Sequence, residues 1–114
     1  MASFEAGDVI KVPFPYTDRA TRQRRPALVV STGDLQDEHG LLWVSMITSA
    51  ENRGWVGDVP LTALSKAGLP VASIVRTAKI ATIEVRDAEL LGKVGAGVLA
   101  EVRRRITVTL GLRG

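Results

Sequence analysis

No cysteine occurs among the 114 residues, which excludes disulfide frameworks, thiolate metal sites and zinc fingers and is compatible with a reducing compartment. Histidine occurs once, at His39 in the hydrophilic stretch Asp37-Glu38-His39-Gly40. A nucleophilic triad therefore has a single imidazole to draw on, and the glycine pattern of a nucleophile elbow is missing. Asp34, Asp37, Glu38 and His39 follow no metal-ligand spacing, and a polar turn with His39 solvated in it explains them. Neither a metal nor a cofactor is expected. Aromatics are scarce, with two Trp, one Tyr and two Phe, so each has to be weighed as a core anchor or as a stacking face. No apolar run nears the ~18 residues of a membrane span. The opening Met-Ala-Ser-Phe-Glu-Ala-Gly-Asp places Glu5 and Asp8 where a secretory leader is basic and then apolar, so the expected location is cytoplasmic, with no membrane partner.

Two cofactor motifs match in letters and fail in context. Gly95-Ala96-Gly97-Val98-Leu99-Ala100 fits a dinucleotide fingerprint, but no strand carrying an acid about twenty residues on follows in this sequence. Gly92-Lys93 lacks the earlier glycine of a phosphate-binding loop, because residue 87 is Asp.

Hydrophobic residues make up 46% and charged residues 24%, ordinary globular usage, and the length fits one domain over residues 1–114. Charge is unevenly placed. The segment Pro15 to Arg25 holds Arg19, Arg22, Arg24 and Arg25 against Asp18, which equals the whole net charge of +3; the remaining residues balance. Such a localised basic stretch is the footprint of a phosphate-bearing partner, the competing reading being a solvated loop.

Gly7-Asp8 reads as a turn opening a strand, Val9-Ile10-Lys11-Val12-Pro13-Phe14, which ends where Pro13 and Pro15 remove ladder donors. Ala27 to Ser31 and Leu41 to Thr48 are short continuous apolar runs, expected to be central buried strands, with Trp43 in the core. Trp55 to Val59, Ala72 to Val75 and Lys79 to Val85 predict three further strands. Leu61 to Lys66 and Asp87 to Leu91 read as short helical turns. From Val98 the period changes: Val98, Val102, Ile106 and Leu110, with Leu99 beside them, form the core-facing stripe of a helix, and Arg103-Arg104-Arg105 fall on its solvated faces. Short strands at this spacing followed by one helix predict a mainly β, α+β fold, a small barrel or strongly bent sheet.

Three strand ends carry candidate chemistry. Arg24-Arg25-Pro26 stands where the basic segment meets a buried strand, and an arginine there presents a planar, permanently charged fork to a phosphate. A surface arginine or an ion pair with Asp18 accounts for it equally well on spacing alone. Thr48-Ser49 ends a second strand with a hydroxyl pair, which a turn also explains. Arg76-Thr77 ends a third. Tyr16 and Trp55 offer stacking faces for unpaired bases, set against core packing, which is the favoured reading for Trp55.

The order and spacing of Gly7-Asp8-Val9, Phe14-Pro15, Arg24-Arg25-Pro26-Ala27-Leu28-Val29-Val30-Ser31, Ile47-Thr48-Ser49, Gly68-Leu69-Pro70 and Ser73-Ile74-Val75-Arg76 resemble the MazF/PemK family of toxins over nearly the whole chain. The Arg-Arg-Pro-Ala-Leu-Val-Val-Ser block is the most specific part. The resemblance implies an SH3-like barrel with a C-terminal helix and a homodimer with single-stranded RNA across its interface. It also implies a cognate antitoxin covering that groove, and a metal-independent, sequence-specific endoribonuclease. Carried over by position, the catalytic arginine is Arg25, the catalytic threonine Thr48, and Arg76 matches an assisting arginine; the aspartate paired with it in some members is Ala78 here, and a first-loop histidine is missing. Arg19, Arg22, Arg24, Tyr16 and Ser49 are then the expected RNA contacts. A gyrase poison similar to CcdB, on the same fold and without RNA cleavage, is the alternative; a nonenzymatic nucleic-acid-binding barrel fits the charge but not the blocks.

Overall fold

The computed structural model describes residues 3–13, 23–52 and 54–112. Six strands, β1 (Asp8–Pro13), β2 (Arg24–Val29), β3 (Leu41–Ser49), β4 (Asp58–Leu61), β5 (Ser73–Glu84) and β6 (Glu89–Lys93), are interspersed with three helices, α1 (Gly33–His39), α2 (Leu64–Ala67) and α3 (Ala96–Thr109). The strands form one antiparallel sheet in the order β4-β5-β3-β2-β1-β6.

Period-two alternation sends successive side chains to opposite faces, and here both faces are packed. Ile10, Val12, Ala27, Val29, Leu42 and Val44 fill one side with Phe4, Ala81 and Ile83. Val9, Leu28, Ile47 and Val75 fill the other with Val59, Leu61, Leu69 and, from α3, Val102. That double burial is why β2 and β3 read as unbroken apolar runs. Complete burial of Leu28 or Val102 is worth about 1.5–3 kcal/mol each.

The sheet curls into a half-barrel whose edge strands, β4 and β6, are not paired with each other. The chain leaving α2 fills the gap instead. Gly68 turns it at a φ of +72°, and a Cβ on either Gly68 or Gly92 would overlap the facing backbone, at Leu91 and at Lys66-Ala67 respectively. Glycine on both sides lets α2 lie directly on β6. α3 packs into the same apolar cluster as α2 through Val102 and is tied down by Arg103, whose guanidinium donates to the Val30 carbonyl at 3.0 and 3.2 Å.

Several sequence expectations change. The polar turn around His39 is the end of helix α1, stopped by Gly40 at φ +68°; His39 is exposed, as expected, but helical. No residue of α1 is buried, so no apolar stripe announces it. The strand expected over Trp55 to Val59 is shifted to Asp58–Leu61, so Leu61 ends a strand, and only Leu64–Ala67 is helical. The two strands expected at Ala72 to Val75 and Lys79 to Val85 are one, β5. The helical turn expected at Asp87 to Leu91 is a 3-10 turn over Val85–Asp87 followed by β6. Trp43 is 51% exposed: it lies on the face opposite Leu42 and Val44 and belongs to neither core cluster. Trp55 is 47% exposed as well, and Leu110, last of the helical stripe, is 64% exposed because α3 has ended at Thr109. Arg104 and Arg105 both pair with Glu101, and their hydrogen bonds bring its carboxyl down to about 2.

Candidate functional site

Ala27 of β2 lies opposite Met46 of β3, so the two strands carry Arg25 and Thr48 to the same end of the sheet. β5 then departs from regular pairing. Ile80 is opposite Ser45 while Arg76 is opposite Met46, so Thr77, Ala78 and Lys79 are extra residues on β5. Bulges of this kind re-aim side chains, and both Arg76 and Lys79 reach the cavity that Arg25 and Thr48 line.

Two cavities meet at the Arg25–Thr48 pair. One, of about 160 Å³, is lined by Arg25, Met46, Ile47, Thr48, Arg76 and Lys79. The other, of about 330 Å³, joins Arg25, Thr48 and Ile47 to Lys11, Ser49 and Ser73 over an apolar wall that includes Leu69, Pro70 and Leu91. Neither lining includes a carboxylate or an imidazole. Four cations therefore face a groove with hydroxyls and apolar surface beside them, a field suited to a polyanion with bases attached. Among the described residues no three His, Asp or Glu side chains cluster as metal ligands, and no helix is long and apolar enough to cross a membrane.

Arg76 is held from behind. Its guanidinium donates from Nε to Asp58 Oδ1 at 3.2 Å and from a terminal nitrogen to Asp58 Oδ2 at 3.0 Å, with both side chains only 9% exposed. The same terminal nitrogen donates to the Asn52 carbonyl at 2.6 Å, and the guanidinium carbon sits 4.2 Å from the centre of the Trp55 ring, a cation–π distance. Lys79 Nζ lies 5.6 Å from the same ring. Burial pushes the Asp58 carboxyl up. The hydrogen bond and charge of Arg76, with the backbone amides of Trp55 and Gly54, outweigh it and hold the group below its ordinary value. The carboxylate that pairs with Arg76 is thus Asp58 of β4, while residue 78 on β5 is alanine.

Thr48 belongs to the same network. Its Oγ1 accepts a hydrogen bond from Asn52 Nδ2 at 3.0 Å, Asn52 being the last residue of a 3-10 turn over Ala50–Asn52 that follows β3. Ser49 lines the larger cavity, and its Oγ accepts the Glu51 amide at 3.2 Å.

Of the residues singled out in the sequence, Arg25, Thr48, Ser49 and Arg76 are brought together. Arg24 is not. It precedes Arg25 on β2 and donates to the carbonyls of Lys11 (3.1 Å) and Asp87 (3.3 Å), 3.7 Å from Glu89, outside both cavity linings. Tyr16, Arg19 and Arg22, and the Asp18 considered as an ion-pair partner, lie outside the described residues. Lys11, Lys79, Asn52 and Asp58 went unnoticed in the sequence. Lys11 carried a signal, as the polar residue within an apolar strand; the others had none without the pairing of β4 and β5.

The fold is shared with proteins of known structure. A crystal structure of MazF from Deinococcus radiodurans superposes with a TM-score of 0.80 at 30% identity, over 98% of this chain and 100% of that one. A chain of the MazE-MazF complex from the same organism gives 0.79 at 30% identity, over 99% and 100%. A mycobacterial endoribonuclease in complex with its cognate antitoxin gives 0.76 over 100% and 99%, at 18% identity, a likeness of fold. No curated protein sequence matches. Residues 5–110 match the PemK-like, MazF-like toxins of type II toxin-antitoxin systems, with the arginine and threonine strand ends set side by side, and the chain belongs to that family.

Proposed function

We propose that this chain is a sequence-specific endoribonuclease toxin that cuts single-stranded RNA without a metal ion and is neutralised by a cognate antitoxin. The observation that carries the reading is the meeting of Arg25 and Thr48 between a cationic cavity and a hydroxyl-lined one. Family membership and the antitoxin complexes among the structural neighbours support it.

In the proposed reaction the 2′-oxygen of one nucleotide attacks the adjacent phosphorus and loses its proton. A pentacoordinate phosphorane forms, and the P–O5′ bond breaks as the leaving oxygen is protonated, giving a 2′,3′-cyclic phosphate and a 5′-OH. In this reading Arg25 stabilises the charge building on the nonbridging oxygens and donates to the leaving oxygen, while the Thr48 hydroxyl donates to a nonbridging oxygen. Arg76 adds positive charge to the groove, with its Nε and one terminal nitrogen committed to Asp58 and Asn52. Free arginine has a pKa above ~12 and is a poor proton acceptor, so no side chain is given the role of base.

The RNA lies across the interface of a homodimer in this reading. Arg19 and Arg22 contact phosphates, Ser49 bonds to the chain, and Tyr16 and the half-exposed Trp55 receive unpaired bases; Arg24, turned to the Lys11 and Asp87 carbonyls, is left out of this reading. Incubation of the protein with a long unstructured RNA in EDTA tests the proposal, with cyclic-phosphate and 5′-OH ends as the expected products. Cleavage that stops in EDTA and returns with a divalent ion overturns the metal-free mechanism. Intact RNA under all conditions overturns the nuclease reading and leaves a CcdB-like poison.

A further inference from the structure

The Thr48 hydroxyl has one proton and two lone pairs, and its usefulness to a phosphoryl oxygen depends on where that proton points. A threonine at a strand end ordinarily donates to a nearby carbonyl, which turns its proton inward. Here the Asn52 amide occupies a lone pair of Oγ1 from a distance of 3.0 Å. With a donor already bound on that side, the proton is left to point away from Asn52.

Asn52 is itself held. It is exposed and closes a single 3-10 turn, a poor anchor for a side chain, yet its carbonyl accepts the 2.6 Å hydrogen bond from Arg76. Arg76 is fixed in turn by Asp58 and lies over Trp55. A charge-assisted bond to a nearly buried guanidinium thus fixes the backbone from which the Asn52 amide reaches Thr48.

We propose that Asn52 is a positioning residue for the nuclease site: its side-chain amide, held through the Arg76–Asp58 pair, sets the Thr48 hydroxyl as a hydrogen-bond donor to the scissile phosphate. The catalytic half of this inference rests on the proposed RNA cleavage. Removing Asn52 leaves Thr48 in place with its proton undirected, so it lowers the rate of the chemical step and leaves RNA binding nearly intact. Asn52→Asp goes further, because a carboxylate accepts the Thr48 proton and brings negative charge towards the phosphate.

The test is steady-state cleavage of a short single-stranded RNA by the wild type, Asn52→Ala, Asn52→Asp, Thr48→Ala and the Asn52→Ala/Thr48→Ala double variant, with NMR of the Asn52 side-chain amide. Asn52→Ala lowers kcat about five- to tenfold with KM changed less than about twofold, the size of one lost orienting hydrogen bond. The isosteric Asn52→Asp loses more, about a hundredfold, as expected for a reversed donor and a misplaced charge. In the double variant, Asn52→Ala costs nothing beyond Thr48→Ala, since its effect passes through that hydroxyl. The Asn52 Nδ2 resonances move in Thr48→Ala. Wild-type cleavage that Asn52→Ala leaves unchanged, fully multiplicative losses in the double variant, or an Asn52 amide indifferent to Thr48→Ala overturns the inference and leaves the nuclease reading intact. A wild type that does not cut RNA overturns that reading and the catalytic half of the inference together, while the amide resonances still report whether the Asn52–Thr48 bond exists.

Discussion

The Asp58–Arg76 pair gives the most direct energetic test, because a nearly buried guanidinium depends on a single carboxylate. In Asp58→Ala, Arg76 loses both of its acceptor contacts to Asp58, at 3.0 and 3.2 Å, and keeps the Asn52 carbonyl and the Trp55 ring. The Trp55 amide, which donates to Asp58 Oδ2 at 3.2 Å, loses its acceptor too. Breaking a buried pair by removing one partner costs about 3–5 kcal/mol, and the remaining acceptor together with the groove above Arg76 places this case near the lower end, about 3 kcal/mol. At about 4 °C per kcal/mol for a domain of this size, Tm falls by about 12 °C. The pH dependence has a definite sign. The Asp58 pKa is lowered on folding from 3.8, so its contribution is complete above that unfolded value and is lost as pH falls through the still lower folded value. Scanning calorimetry of wild type and Asp58→Ala should therefore show a constant gap from about pH 7 to pH 5 that narrows only below about pH 4. A gap under about 2 °C at neutral pH, or one that closes between pH 7 and pH 5, refutes the assignment of the ion pair as the anchor of Arg76.

Two further predictions follow from the groove and from its wall. Arg25→Ala should lower kcat for RNA cleavage by about two to three orders of magnitude, comparable to removing an oxyanion-type donor, with a much smaller change in RNA affinity; Arg25→Lys should recover only part, lacking the planar fork. A folded Arg25→Ala protein that cuts at the normal rate removes the main reason for placing catalysis there. Gly92→Ala drives a methyl group into the backbone of α2 and should destabilise by about 1–3 kcal/mol, whereas Gly97→Ala, with open space around it on α3, should be neutral or slightly stabilising; equal denaturation midpoints for the two would contradict the close α2–β6 packing.

The strands that could be read were those carrying a run of buried residues on both faces of the sheet. β1, β2 and β3 announce themselves because apolar runs such as Ala27-Leu28-Val29 fill both faces of the sheet, and α3 because Val98, Val102 and Ile106 recur on one side. β5 looked like two strands because Arg76, Thr77, Ala78 and Lys79 interrupt the alternation, and the interruption is the bulge itself. α1 lacked a signal because it buries nothing. At the site, Arg25 and Thr48 were legible through their blocks. Asp58 was invisible, since its meaning comes from a partner 18 residues away that only the pairing of β4 with β5 brings within reach.

That arrangement also explains how a chain of modest net charge presents an almost purely cationic groove. A buried arginine without a counter-ion is unstable, but a carboxylate lining the groove would repel the phosphate that the proposed function brings there. The fold separates the two demands. Asp58 enters from β4, behind Arg76 and outside both cavity linings, so the guanidinium is compensated on the side away from the groove. An aspartate two residues after Arg76 would sit on β5 itself, at the position Ala78 occupies within the bulge between Arg76 and Lys79, both of which line the smaller cavity with Arg25. An acid on the neighbouring strand keeps Arg76 in place without adding a carboxylate to the cavities that Arg25, Lys79 and Lys11 line, the surface proposed to meet an RNA backbone.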